Sequence, residues 1–294
     1  MTNDRHSEKR KYMNFGKILL AGGTGYLGGY ILKQLVEQKY DTRAIVRDHK
    51  KVSISSSNLE VVNAEVTRPE TLKGIFDGID IVISTLGITR QKDGLTYMDV
   101  DYQGNANLLK EAESCRVKKF IYVSVLKGDE LRKLKICEAK EKFVDRLKAS
   151  PIDYCVIRPN GFFSDMGDFL KMAKGGRVYL FGNGHLKLNP IHGADLAEMC
   201  IASIHSDEKE INIGGPDLLS QNEIGKMALE TYGKPPKIVH LPDWLRRSIL
   251  WGFRTFTGSK TYGPIEFFMT TMMMNMQAPL YGNHHLADFF RKQA

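Results

Sequence analysis

The segment Gly22-Gly23-Thr24-Gly25-Tyr26-Leu27-Gly28 repeats glycine at every third position, directly after the apolar run Lys17-Ile18-Leu19-Leu20-Ala21. Between a strand and a helix, such spacing has a specific chemistry. The first glycine allows a tight turn, the second lets backbone approach a pyrophosphate, and the third lets helix and strand pack closely. The helix N-terminus then offers N–H groups and positive potential to the phosphates. Gly22, Thr24, Gly25, Tyr26, Leu27 and Gly28 are therefore the candidate cofactor contacts. Roughly 20 residues further on, NAD sites usually carry an acid for the ribose 2′-hydroxyl. Here that place holds Arg47, with Arg43 before it and Asp48 after it. A guanidinium suits a 2′-phosphate, which it can bond bidentately, so NADP(H) is favoured over NAD(H). Asp48 keeps an NAD-like contact open.

No metal chemistry is expected. Cys115, Cys137, Cys155 and Cys200 are widely spaced, without a paired motif, and read as reduced thiols. His284-His285 has no partner at ligand spacing and reads as surface.

The elements that must position these residues alternate. Strands are expected at 17–21, 44–46, 59–62, 79–84, 119–125 and 154–157. Helices are expected at 26–39, 69–76, 98–114 and 138–149. Strict alternation demands a parallel sheet with helices on both faces, and the glycine turn selects the doubly wound Rossmann form of this α/β class. After Arg158-Pro159 the texture becomes richer in Gly, Pro and aromatics. Short strands at 178–181 and 210–213 and helices at 195–205, 221–232, 243–256 and 265–276 suggest a smaller C-terminal substrate lobe. The expected division is a disordered leader at 1–14, a dinucleotide-binding core at 15–160 and a lobe at 161–294.

The 294 residues carry a net charge of +8. This favours anionic partners such as a phosphorylated cofactor or an acidic membrane surface. The charge is spread along the chain, so no nucleic-acid partner is expected. The N-terminus has neither the apolar stretch of a secretory signal nor the acid-poor composition of a transit peptide. The expected location is the cytoplasm, with membrane association as an alternative.

Several further motifs appear in order: Ile83-Ser84-Thr85-Leu86-Gly87, Asp101-Tyr102-Gln103-Gly104-Asn105, Phe120-Ile121-Tyr122-Val123-Ser124, Ala139-Lys140 and Pro190-Ile191-His192-Gly193-Ala194-Asp195. Together with the glycine turn, they resemble the atypical, extended-like branch of the short-chain dehydrogenases/reductases, near the NmrA-like NAD(P)-binding proteins. The resemblance implies a reductase in which a serine polarises a carbonyl, a Tyr-x-x-x-Lys tyrosine transfers the proton, and the lysine holds the nicotinamide ribose. Ser124 and Lys140 match the serine and lysine and are the candidate catalytic pair. Thr85 and Gly87 are expected to line the cofactor channel, and Glu65 falls where the family often has Asp near adenine. The tyrosine position is Ile136, which cannot donate a proton.

Three readings follow from Ile136. Lys140 acts alone as acid or base; or the reaction needs no tyrosine, as in hydride addition to an enone or quinone; or the protein binds NADP(H) without turnover, as a regulatory or assembly protein. The bland readings are a surface lysine at 140 and a strand-end cap at Ser124. In the lobe, Phe162, Phe163 and Met166 suit either an apolar substrate pocket or core, while Asp195 and His192 suit structural roles. Leu245, Ile249, Phe253 and Phe256 share a helical face apart from Arg246, Arg247 and Arg254. With Met272-Met273-Met274 they suggest either core or a surface for a lipophilic substrate or a membrane. The oligomeric state is open.

Overall fold

The computed structural model describes residues 16–88 and 94–294, without the side chains of 259–261; the leader expected at 1–14 lies outside the described residues. The strands are β1 (Lys17–Ala21), β2 (Thr42–Val46), β3 (Leu59–Asn63), β4 (Ile79–Ser84), β5 (Lys119–Val123), β6 (Asp153–Pro159), β7 (Val178–Phe181), β8 (Lys187–Leu188), β9 (Glu210–Ile213), β10 (Leu219–Ser220) and β11 (Ile238–Leu241). The helices are α1 (Tyr26–Glu37), α2 (Asn105–Ser114), α3 (Lys135–Lys148), α4 (Gly167–Lys174), α5 (Gly193–Ala202), α6 (Gln221–Thr231), α7 (Asp243–Phe256), α8 (Ser259–Thr271) and α9 (Leu286–Gln293).

Seven strands form one parallel sheet in the order β3-β2-β1-β4-β5-β6-β9. Its apolar runs are buried on both faces, as a parallel sheet between helical layers requires. Ile18 and Leu20, Ile81 and Ile83, and Ile121 and Val123 pack with Leu27, Ile31 and Leu196 of α1 and α5. The alternate residues Leu19, Val82, Phe120 and Tyr122 pack with Leu108, Phe143 and Val144 of α2 and α3. The period of two along each strand thus decides which side chains face α3. Residues beyond 160 return to this core, since α5 packs on α1 and β9 pairs with β6.

Several elements go beyond the sequence expectation, among them α4, α9, β8, β10 and β11, and three of the expected helices take a different form. The helix expected at 98–114 is a π-helical stretch over Met98–Gly104 followed by α2. Within it Asn105 Nδ2 donates to the carbonyl of Asp101 at 2.8 Å, and Ser84 Oγ donates to Asn105 Oδ1 at 2.5 Å. π-Turns recur at functional sites, where they re-aim a side chain. The helix expected at 69–76 is one 3-10 turn, Pro69–Leu72, cut off before Gly74 at φ +75°. The helix expected at 265–276 is α8, which begins earlier, at Ser259, includes Pro264 and ends at Thr271.

The second lobe has its own core, in which Phe163, Phe169, Val178, Ile224 and Leu229 pack with Leu286 and Phe290 of α9. Sequence reading did not anticipate α9. Asn160 and Asn189 stitch the lobe to the sheet: Asn160 Nδ2 donates to Asn189 Oδ1 at 2.8 Å, and Asn189 Nδ2 donates to the carbonyls of Gly215 and Ala278.

Candidate functional site

The glycine turn closes the carboxyl end of β1. Gly22 has φ +92°, and a Cβ there would meet Thr85 Oγ1 at 2.5 Å. Thr85 itself donates to the Ala21 carbonyl at 3.2 Å, joining the ends of β1 and β4. At Gly28 a Cβ would lie 2.0 Å from the Gly22 carbonyl oxygen, so helix and turn are in backbone contact. Gly25 caps α1 without a side-chain hydrogen bond, and no acid lies in the first turn. The N-terminus of α1 is thus an open cradle for an anion. Thr24 is exposed at the turn, whereas the Leu27 side chain is core, so Leu27 offers only its backbone. The Tyr26 ring packs on Tyr30 and Phe162, and its hydroxyl accepts from the Gly193 N–H at 3.2 Å. Burial pushes its pKa up to about 12, against the opposing pull of that hydrogen bond.

At the end of β2, Arg47 is exposed. Arg43 is occupied elsewhere: its Nε donates to Glu60 at 2.9 Å and Nη1 to the Ile75 carbonyl at 2.6 Å. Asp48 caps the short turn His49–Lys51, accepting from Lys50 N at 3.0 Å. Glu65 accepts from Thr67 Oγ1 at 3.2 Å.

At the carboxyl edges of β4 and β5, Lys140 Nζ of α3 stands 3.0 Å from Asp101 Oδ1 of the π-helical stretch. Asp101 is fully buried, and its Oδ2 accepts from the Ile88 N–H at 3.1 Å. Gly87 lies directly against this pair, since a Cβ there would sit 2.7 Å from Lys140 Nζ and 2.8 Å from Asp101 Oδ1. Tyr122 lies below, with Nζ 5.6 Å from its ring centroid. The Asp101 Oδ1 contact is an ion pair off the line of a good hydrogen bond, and the buried Tyr122 hydroxyl has no well-formed one. Burial pushes the Asp101 carboxyl up, and Lys140 pulls it back. Burial also drives the Tyr122 phenol up, which keeps it neutral. Burial alone would lower the Lys140 pKa, but Tyr122 and Asp101 more than offset it and the ammonium stays protonated. With the phenol neutral, Asp101 is the partner that holds that charge.

Ser124 has a different partner. Its Oγ donates to Glu141 Oε1 at 2.8 Å, and Glu141 is fully buried in a bidentate pair with Arg158 at 2.6 and 2.8 Å. Ile136 is buried with Tyr97, Leu131, Leu134 and Cys137, beside Phe267 and Met274 of the second lobe. The structure therefore brings Gly22 to Thr85 and Gly87 to Lys140, and gives Ser124 to Glu141. Asp101 and Tyr122 escaped sequence reading as site residues. Their signal was an acid in the Asp101-Tyr102-Gln103-Gly104-Asn105 motif and a phenol one strand period before Ser124.

In the second lobe, Phe163 and Met166 are core, and Phe162 is half-buried against Tyr26. His192 caps α5, its Nδ1 accepting from Ala194 N at 3.2 Å. His284 is exposed, as the sequence reading expected, and it also stacks on His192 at 4.2 Å, with its Nδ1 2.6 Å from Asp195 Oδ1. A cavity of about 340 Å³ between Gly16, Asp80, Lys118 and His205 lies at the opposite, amino edge of the sheet. Ligands of such sheets bind at the carboxyl edge, so it is not the site.

A doubly wound sheet with an open phosphate cradle at its first turn defines a dinucleotide-binding protein. The chain belongs to the NAD(P)H-binding family, whose model matches residues 22–207. It is similar to the photosystem II assembly factor Ycf39 of Trieres chinensis, 26% identical over 243 residues, covering 80% of this chain and 76% of the relative. It is also similar to the chloroplastic divinyl chlorophyllide a 8-vinyl-reductase of Arabidopsis thaliana, 25% identical over 94% of this chain and 76% of the relative. Among solved structures, the fold matches an NADPH-dependent quinone oxidoreductase of Escherichia coli with TM-score 0.74 and 16% identity, covering 94% of this chain and 99% of that one. A nucleoside-diphosphate-sugar epimerase of Staphylococcus aureus matches with TM-score 0.73 and 17% identity over the same shares.

Proposed function

We propose that this protein is an NADPH-dependent reductase acting on an activated C=C bond or a quinone of a lipophilic organic molecule. The observation that carries this reading is the buried Lys140–Asp101 pair against Gly87, at the same sheet edge as the uncapped glycine turn. The chain's own residues fit the cofactor. The N–H groups of α1 would hold the pyrophosphate, Arg47 the adenosine 2′-phosphate, and Lys140 a ribose hydroxyl through the N–H bonds that Asp101 leaves unused. When bound, the nicotinamide supplies a hydride to the substrate. Lys140 serves as a fixed positive charge that stabilises the substrate atom that becomes electron-rich, and the balancing proton comes from solvent after the hydride has moved. A base role fits poorly, because Asp101 keeps Nζ protonated. Ile136 and its apolar neighbours would line the substrate side and exclude water. A reductase named for a vinyl group among the relatives supports this substrate class.

One observation favours the second reading, a cofactor-binding protein without turnover: the Ser124 hydroxyl is committed to Glu141, and position 136 is isoleucine, so neither of the family's two proton-handling positions offers a free donor beside Lys140. An assembly factor among the relatives supports that reading. The test is NADPH oxidation, followed by nicotinamide absorbance, against enones, vinyl-substituted tetrapyrroles, quinones and aldehydes. Turnover with an enone or quinone, lost in the folded double variant Lys140→Met with Asp101→Leu while residual NADPH binding persists, supports the reductase. Tight NADPH binding with no turnover across the panel sinks it.

A further inference from the structure

α7 presents to solvent a face other than the one its apolar residues suggest. Leu245, Ile249 and Phe253 are half-buried and Leu250 is buried, with α7 packed on α8. Arg246 is drawn in as well, its Nε 2.6 Å from Asp243 Oδ1. The outward stripe is Trp244, Arg247, Trp251 and Arg254, at helical positions i, i+3, i+7 and i+10. Trp244 and Trp251 are each 66% exposed, and Phe256 is 79% exposed and closes edge-on against Trp251. Ser248 and Thr255 flank the indoles, their hydroxyls turned back to the carbonyls of Trp244 and Trp251. Arg247 and Arg254 are tethered by Asp243 and Glu266 but keep exposed guanidinium groups. The one acid of α7, Asp243, stands at the N-terminal end of the stripe, half-buried and one turn before Arg247.

Large aromatic rings left in water on one helix mark a contact surface. This one is the outward ridge of a single helix, a shape that meets a flat surface. Indole rings settle at the level of lipid headgroups, and arginines beside them reach the phosphates. The charge agrees in sign, since the chain carries +8. No helix among the described residues is long and apolar enough to cross a membrane. We infer that α7 docks the protein on the surface of an anionic lipid bilayer. The helix lies in the plane of the interface, Trp244, Trp251 and Phe256 enter the headgroup boundary, and Arg247 and Arg254 contact lipid phosphates.

Trp244 and Trp251 are the only two tryptophans in the chain, so intrinsic emission reports this face alone. On vesicles of phosphatidylcholine with phosphatidylglycerol, the full chain should co-sediment, and its tryptophan emission should shift to the blue and resist aqueous quenchers. Vesicles of phosphatidylcholine alone should bind much less, and added salt should weaken binding. Arg247→Gln should lower partitioning about fivefold. Trp244→Ser with Trp251→Ser should abolish it while circular dichroism and NADPH affinity stay unchanged. Three outcomes overturn the inference: no binding to anionic vesicles, equal binding by the double tryptophan variant, or a blue shift on self-association in the absence of lipid, which would assign the face to a second copy.

Discussion

Lys140 Nζ lies 3.0 Å from Asp101 Oδ1, with Gly87 backbone directly over the pair. A cation and an anion are thus held out of water at the carboxyl edge of the sheet. Removing one partner of such a pair costs about 3–5 kcal/mol, because the other charge is stranded. Lys140→Met should therefore be strongly destabilising in urea denaturation, and Lys140→Met with Asp101→Leu should recover most of the loss. The deficit of the single variant should depend on pH. Without Lys140, the Asp101 carboxyl is raised further above its unfolded value, so the folded state binds a proton the unfolded state does not. The deficit then grows as pH rises through the weakly acidic range and shrinks on acidification.

Gly28→Ala would force a Cβ to within 2.0 Å of the Gly22 carbonyl oxygen. Backbone cannot yield as a flexible side chain can. The expected cost is about 1–3 kcal/mol of stability, with loss of NADPH affinity as the turn opens. Thermal melting with and without NADPH measures both; unchanged affinity would count against the cradle.

Arg47→Ala tests the cofactor choice. If the guanidinium binds the 2′-phosphate, NADPH affinity should fall roughly ten- to hundredfold, the worth of a charge-assisted hydrogen bond, with NADH affinity unchanged. An equal fall for both cofactors would remove Arg47 from the 2′-phosphate role.

Ser124→Ala separates two roles. If Ser124 only completes the Glu141–Arg158 network, stability should fall by about 1 kcal/mol, with kcat and KM little changed. Arg158→Met should cost more, about 3–5 kcal/mol, by leaving Glu141 buried and unpaired. A hundredfold fall in kcat for Ser124→Ala, without loss of stability, would restore the serine to catalysis.

His192 makes stability depend on pH in a defined direction. Burial lowers its pKa below the ordinary 6.5, and His284 adds to the effect. The neutral ring also accepts the Ala194 N–H that caps α5. A folded pKa below the unfolded one gives stability that is complete above pH 6.5 and is lost as pH falls through the lower folded value. Melting temperature should therefore drop on acidification from about pH 7 to about pH 5. His192→Asn, which keeps a cap, should flatten that slope. An unchanged slope would place the titration elsewhere.

The sequence by itself determined the sheet and its first turn. Ile18 to Ala21, Ile79 to Ser84 and Lys119 to Val123 are short apolar runs between helices, and the triple glycine leaves one way to join strand to helix. These are local signals, carried by neighbouring residues. Tertiary structure decided which charges meet. Asp101 and Lys140 are 39 positions apart and come together only because the π-helical stretch and α3 converge on the same sheet edge. Ser124 carries the family's serine position, but only the fold shows that its hydroxyl donates to Glu141, one residue past Lys140 and so on a different side of α3. α7 followed the same logic: periodicity located the helix, but only packing on α8 decided that Leu245, Ile249 and Phe253 turn inward and the tryptophans outward. Sequence patterns report which residues share a face; which face is buried depends on what arrives to cover it.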